Sequence, residues 1–538
     1  PSPIDYVMYQ GPGVAYGIIP RHDTPTKHSQ FLIAGVSVLL LGNEALLDII
    51  DKDKFYLSLV PYAGFNQRYD VGVGKDAAQV DQIFRAGAGE ALTDIGGTVT
   101  FSKGGPATGA RVGIYRDDNG NNMLDDTDRI ESYADVDATG KFSAKVAAGN
   151  HLVRAEVLNI GRSPAVAAGA SVALTVPSPM KVDFTILDDQ SNMPIPGRLL
   201  VVGNNPAPAD SRLFSNYDQL TGIVASSHNI RGTSTDLGDG ADPALMLPAG
   251  GTYRIYATRG TEYSYDSQPV SGSTDQSVTF KLRRVAPANG YYSTEWHVHQ
   301  VGSPDSPVLA EERLRSAASA GVEMFAVTDH DYVSDLQPLV ESMQLQNIMR
   351  VLPGIEVTPF AYGHYNAWPM NVADTDPSHG AVDWARVNNG FGMTPKQIYE
   401  TMRSRGAKMV QVNHPRGSGI GQFQAAFDRA NLKYDFTAKT MFGDFASADV
   451  PNDWLRLPEE SLWSPTFSGL EVWNGFTMSD TNGDMIRENL SLDRVMADWF
   501  SMLSLGFYVS PAGNSDTHTS VKDPMGMPRT YVRVADDS

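Results

Sequence analysis

Glu295-Trp-His-Val-His299 closes one strand-like run, and Val327-Thr-Asp-His330 closes the next. Residues two apart on an extended strand point to the same side, so His297 and His299 present both rings in one direction. The same spacing returns far downstream in Asp516-Thr-His518. Between these pairs, Glu356, His364 and His414 stand at or just behind apolar runs, and six of the eleven histidines fall in these clusters. A single buried histidine is usually a hydrogen-bonded core residue. Many ligand-type residues at matching strand ends are costly to bury unless a cation is shared among them. Imidazole and carboxylate without sulfur suit zinc, manganese or iron(II), and Glu356 is the carboxylate placed to bridge two ions.

Outward from these residues, strand-like runs at 322–329, 350–357, 408–413, 469–473 and 506–512 alternate with helix-like segments. Val308–Ala320 has an apolar side. Thr394-Pro-Lys-Gln397 carries the N-cap, first-turn proline and glutamine of a capping box. Asp484–Leu505 is a second amphipathic segment, stopped at Gly506. Alternation of this kind predicts an α/β barrel over 289–538, with the ligand residues at the carboxyl ends of its strands. The preceding chain has no long helical periodicity. Its short Val-, Ile-, Tyr- and Thr-rich runs, broken by Gly, Pro, Asn and Asp, predict a β-rich unit over 1–94 and two β-sandwiches over 95–180 and 181–288.

The motifs also carry a family resemblance. Residues 292–534 resemble the PHP (polymerase and histidinol phosphatase) domain through Trp296-His-Val-His299, Val327-Thr-Asp-His330, Val412-Asn-His-Pro415 and Asn514-Ser-Asp-Thr-His518. Gly354-Ile-Glu356-Val-Thr358 with Gly363-His364-Tyr-Asn366 is similar to the carbaryl-hydrolase-like branch, which also carries β-sandwiches before its PHP domain. Residues 95–180 resemble the carboxypeptidase-regulatory-like sandwich. The resemblance implies a distorted (β/α)7 barrel after N-terminal sandwiches, holding two or three divalent ions. It implies His297, His299, Asp305, His330, Glu356, His364, His414, Asp516 and His518 as ligands. Asp305 enters on this ground alone. Glu295 stands where the family has Asp and is left out of the ligand set; Glu471, in Glu471-Val-Trp-Asn-Gly475, is read as supporting.

The implied chemistry is hydrolysis of a phosphoester, ester or carbamate in a small molecule such as an organophosphate or ester, by a metal-activated water. Arg416 is assigned to an anionic oxygen of the substrate, with a surface salt bridge as the alternative, and Asp305 and His518 to the reaction itself. No Ser-His-Asp arrangement is visible.

The formal charge of −20 argues against a nucleic-acid partner, which needs a basic face. The absence of cysteine excludes disulfides and thiolate ligands. Phe31–Leu41 reads as one buried strand, too short to cross a bilayer. A chain opening on Pro1 without Met points either to a removed leader or to a fragment, and with zero cysteine the expected setting is a secreted, periplasmic or cell-surface bacterial protein. The strand-like run just before Ser538 points to further sequence beyond it.

A second metal reading falls on Asp117-Asp-Asn-Gly-Asn-Asn-Met-Leu-Asp-Asp-Thr-Asp128, where Asp117, Asn119, Asn121, Asp125 and Asp128 have oxygen spacing that suits calcium; a solvated acidic turn is the alternative. His22, His28, His151, His228 and His379 fit no ligand spacing. The competing functional class is a non-catalytic surface or adhesion protein, its sandwiches binding a protein or glycan and its barrel serving as scaffold.

Overall fold

The computed structural model describes residues 7–11, 13–20, 26–33, 36–43, 69–203, 213, 226–230, 244–286, 290–359, 362–385, 387, 392–417, 425–444, 463–475, 478–479, 488–489, 492–519 and 523–534. The segment read as one strand at Phe31–Leu41 is a hairpin of Thr26–Ile33 and Val36–Asn43. His22 lies outside the described residues. No described helix is long and apolar enough to cross a membrane.

Near the N-terminus, Val7–Gly11, Val14–Pro20 and Tyr69–Gly74 form an antiparallel sheet, followed by the helix Ala77–Gly87. The sequence reading missed this helix. Its signal was Asp76, whose carboxylate caps the Gln79 N–H at 3.0 Å. Val80 and Phe84 pack against the sheet, while Ala78 joins the core of the next unit, so packing runs across residue 94.

Two pairs of facing sheets follow. In the first, Leu92–Phe101 lies between Val172–Val176 and Lys141–Ala147; opposite runs a sheet built on Ala110–Arg116 and His151–Val157. In the second, Pro179–Asp188 pairs with Leu245–Pro248 and Gln276–Leu282, facing a sheet that contains Gly197–Gly203 and Gly251–Thr258. Period-two alternation turns Tyr253, Ile255 and Ala257 inward. Each fully buried aliphatic side chain of this kind contributes roughly 1.5–3 kcal/mol.

The C-terminal region contains, among the described residues, a four-stranded and a five-stranded mixed sheet rather than an unbroken parallel ring. Tyr291–Glu295, Met324–Val327 and Arg350–Pro353 run parallel, with Thr530–Arg533 antiparallel at one edge. In the other sheet Met409–Val412, Gly469–Asn474 and Ser510–Asn514 run parallel, while Ile355–Val357 and Tyr365–Trp368 join antiparallel. The run expected at 350–357 breaks at Gly354, where a Cβ would sit 2.6 Å from the Val327 carbonyl oxygen. Trp296 and Trp368 stack at 4.9 Å between the sheets, and isolated parallel bridges join Val298 to Thr517 and His330 to Glu356.

The expected helices are present at Ala310–Ala320, Pro395–Ser404 and Leu492–Leu505. Thr394 and Gln397 form both bonds of the capping box. Ile398, Tyr399, Met402, Val495 and Met502 bury one side of the last two helices against the second sheet. The preceding sandwich docks on the first helix. Arg259 donates to the carbonyls of Pro196 (2.7 Å) and Ala318 (2.9 Å), satisfying an acceptor of the helix's last turn. Gly260 lies so close that a Cβ would be 2.0 Å from the Ala320 carbonyl oxygen.

Candidate metal centre

The ligand-type residues gather where the parallel strands end. His297 and His299 follow the strand Tyr291–Glu295 and are fully buried. The Thr328 hydroxyl accepts the intervening Val298 N–H at 2.9 Å, and the His299 N–H donates to the Thr517 carbonyl. The Asp516-Thr-His518 segment is thereby stitched beside His-x-His, although more than two hundred residues separate them in sequence.

Glu356 occupies the middle. Its Oε1 is 3.3 Å from His297 Nε2, 3.4 Å from His364 Nδ1 and 3.6 Å from His414 Nε2. Its Oε2 is 3.0 Å from His330 Nδ1 and 3.5 Å from His299 Nε2. Asp516 Oδ1 stands 3.2 Å from both His297 Nε2 and His299 Nε2. Asp305 Oδ2 lies 3.1 Å from His330 Nε2 and 3.3 Å from His518 Nε2. Four overlapping groups have ligand atoms close enough to share an ion: His299, Asp305, His330 and His518; His297, His299 and Asp516; His297, Glu356 and His414; His330, Glu356 and His364. All nine residues expected as ligands therefore stand together.

The cluster does not satisfy itself. His297 Nε2, His299 Nε2, both ring nitrogens of His364, Asp305 Oδ1 and Glu356 Oε2 are buried without a hydrogen-bond partner. Orphans of this kind cost about 1–3 kcal/mol each, and they converge on shared points. A divalent cation of nitrogen and oxygen preference fits this donor set.

Electrostatics divide the rings. Burial, with the neighbouring His518 and His330, pushes His299 down to about 3; burial likewise pushes His364 to about 4, so both are neutral at pH 7. At His297 burial is outweighed by the Asp516, Glu471 and Glu356 carboxylates, which hold it well above an ordinary histidine. Glu356 overcomes burial in the same way at His330 and His414, and Asp305 does so at His518. Glu356 and Asp516 are correspondingly held well below the usual carboxylate range against their burial.

Several supporting residues escaped the sequence reading. Asn413 donates to Glu356 Oε1 at 2.7 Å, Ser303 Oγ meets His299 Nδ1 at 2.8 Å, and Thr358 Oγ1 meets His330 Nδ1 at 2.7 Å. Asn413 and Thr358 lie inside motifs already singled out, but nothing in their spacing distinguished them from packing. Glu295 accepts the Ser515 and Gly526 N–H groups, and burial raises its carboxyl to about 8. It braces the loop that carries Asp516.

No family model matches this chain, and no curated protein does. Among solved structures, a two-domain protein of Bacteroides vulgatus containing a predicted PHP-like metal-dependent phosphoesterase shares 18% identity, over 44% of this chain and 54% of its own, with a TM-score of 0.25. This chain thus spans about half of that protein. The shaft pilin SpaA of Lactobacillus rhamnosus GG shares 10% identity over 36% of this chain and 99% of its own, at a TM-score of 0.23. A streptococcal ancillary pilin shares 12% over 50% and 80%, at 0.18. Likenesses this low leave the chemistry to be read from the site itself.

One expectation is corrected. Arg416 does not stand open to an anion. Its Nε and Nη2 donate to Asp498 at 2.7 and 2.8 Å, its Nη1 donates to Asp428 at 2.9 Å, and its plane lies over Phe427. The guanidinium fastens the loop after His414 to the helix Leu492–Leu505, because a bidentate carboxylate pair satisfies it better than open solvent.

The residues read as a calcium loop stand together and bond to one another. Asp117 accepts the N–H groups of Asn121 and Asn122, Asp128 those of Asp118 and Asp125, and Asp125 the side chains of Asn119, Asn121 and Thr127. The loop is closed by its own hydrogen bonds, as Asx-rich turns are. It supplies none of the close ligand groups among the described residues.

Proposed function

We propose that this protein is a metal-dependent hydrolase of the PHP type, cleaving a phosphoester, ester or carbamate bond in a small molecule. The observation that carries this reading is the convergence of nine ligand-type residues, with six buried nitrogens and oxygens of His297, His299, Asp305, Glu356 and His364 left without a hydrogen-bond partner. Two or three ions of zinc, manganese or iron(II) would supply an activated water and polarise the electrophile when bound. Glu356 would be shared between two of the close groups, one with His297 and His414 and one with His330 and His364.

Six imidazoles and three carboxylates leave such a centre positively charged with two or three dications in place, suited to the negative charge that develops in hydrolysis. Asp305, His330, His414 and His518 keep some exposure and mark the open side, whereas His297, His299 and Glu356 form the floor. We assign Asp305 and His518 to proton movement there, with Asp305 Oδ2 and His518 Nε2 within reach of one another.

Elemental analysis of the purified protein, paired with turnover of p-nitrophenyl phosphate, ester and carbamate substrates, tests this. Two or more ions per chain with turnover of one class is expected. A protein that stays metal-free and inactive after loading with Mn²⁺ or Zn²⁺ sinks the enzyme reading and leaves the surface-protein one.

A further inference from the structure

Resting on the metal-centre reading, we propose that Glu471 is a positioning residue that governs the His297–Glu356–His414 end of the cluster and not the Asp305 end. Glu471 belongs to none of the close ligand groups, yet it is almost fully buried beside them. It lies on the strand Gly469–Asn474, where the pairing with Ser510–Asn514 shifts register between Glu471 and Trp473. An irregularity of this kind can re-aim a side chain, here toward the centre.

Its two oxygens collect four donors, three from other segments and one from its own strand. Oε1 accepts from His297 Nδ1 at 2.9 Å and Asn514 Nδ2 at 3.0 Å. Oε2 accepts the His414 backbone N–H at 2.7 Å and Asn474 Nδ2 at 2.9 Å. Asn474 Nδ2 also donates to Asp516 Oδ2 at 3.0 Å.

Each contact has a consequence. A proton on His297 Nδ1, held by Glu471, leaves the Nε2 lone pair facing Glu356 and Asp516. His414 has φ of +24°, a backbone state that a residue with a Cβ seldom adopts, and the bond from its N–H holds it there. Asn474 passes the same constraint to Asp516. Toward the other end the orienting partners are neutral: Ser303 Oγ for His299 Nδ1, and the Asp516 carbonyl for His518 Nδ1 at 2.9 Å. A carboxylate raises the basicity of the imidazole it holds more than a hydroxyl or a carbonyl does.

The test uses the full chain loaded with Zn²⁺, with ions counted by elemental analysis and affinities read by chelator competition. Glu471→Gln keeps the shape but sets an amide NH₂ against donors. It is expected to fold, by circular dichroism, and to lose about 10–100-fold in affinity for one ion while holding the others. Combined with His414→Ala, the loss should not add, because both act on one position; combined with Asp305→Ala, it should add.

Glu471→Gln protein that binds every ion as tightly as the parent overturns the proposal, as does equal coupling to His414 and Asp305. A parent that binds no metal removes the metal-centre reading itself, and this shows before any variant is made. Where Glu471→Gln fails to fold, Asn474→Ala keeps the carboxylate and cuts its tie to Asp516. A several-fold loss for one ion then supports the proposal, and unchanged binding overturns it.

Discussion

Two regions of this chain look alike as sequence, each a cluster of oxygen or nitrogen ligands at close spacing, and fold into opposites. Between Asp117 and Asp128, ligand-type side chains sit within one loop, and each finds a backbone N–H or a neighbouring side chain. At the C-terminal centre the ligands come from segments far apart, and six of their polar atoms find no partner. A local acidic cluster can satisfy itself by turning. Side chains fixed at the ends of separate strands cannot relax toward one another, so their unmet valence is held in place by the fold. Unsatisfied convergence, rather than ligand count, distinguishes a candidate centre from a turn.

The contrast can be broken most directly by removing ligands. His297→Ala with His299→Ala is expected to bring metal content and turnover to background with the sandwiches still folded, as read by elemental analysis and assay. Unchanged metal content would place the ion elsewhere. Next in size is Arg416→Ala. The change strands Asp498 and, in part, Asp428 in a buried setting, and should cost about 3 kcal/mol in denaturant unfolding. If Arg416 contacted substrate instead, KM would rise with stability intact.

Protons should separate the two regions as well. His297, His330, His414 and His518 are raised by their carboxylates, so near neutral pH they hold protons that a metal must displace. Metal affinity at the centre should therefore fall as pH falls, by about tenfold per pH unit for each proton released, with proton release visible in weakly buffered titrations. Asp125 goes the other way: the Thr127 hydroxyl and N–H hold it low, so it carries no proton for an ion to displace near neutrality. The smallest effect is expected at the loop itself. Asp117→Asn should cost about 1 kcal/mol through its weakened bonds to Asn121 and Asn122 and leave the ion count unchanged. Loss of one calcium ion on this change would restore the calcium reading.

Much of the centre was legible because strand ends are marked by local sequence. His-x-His needs only period-two geometry, and the capping box at Thr394 and the stop at Gly506 are local as well, whereas Asp516 lies past the strand Ser510–Asn514 with φ of +53°. The helix Ala77–Gly87 was missed because its buried side rests largely on Ala77, Ala78 and Asp81 beside Val80 and Phe84, which gives little apolar contrast along the sequence. The hairpin within 26–43 was merged into one strand because apolar residues run on from Phe31 to Leu41 with little polar interruption.

The sequence by itself determined which residue types could act and that sulfur could not, since these follow from composition and from spacing along a strand. Only the tertiary structure decided the partners. Arg416 near His414 reads the same whether it faces a substrate or Asp498, and Glu471 reads as a supporting residue with no named partner until four donors are seen to meet on it. A long side chain has several possible neighbours in sequence terms, and only packing selects the one whose charge and hydrogen bonds it satisfies.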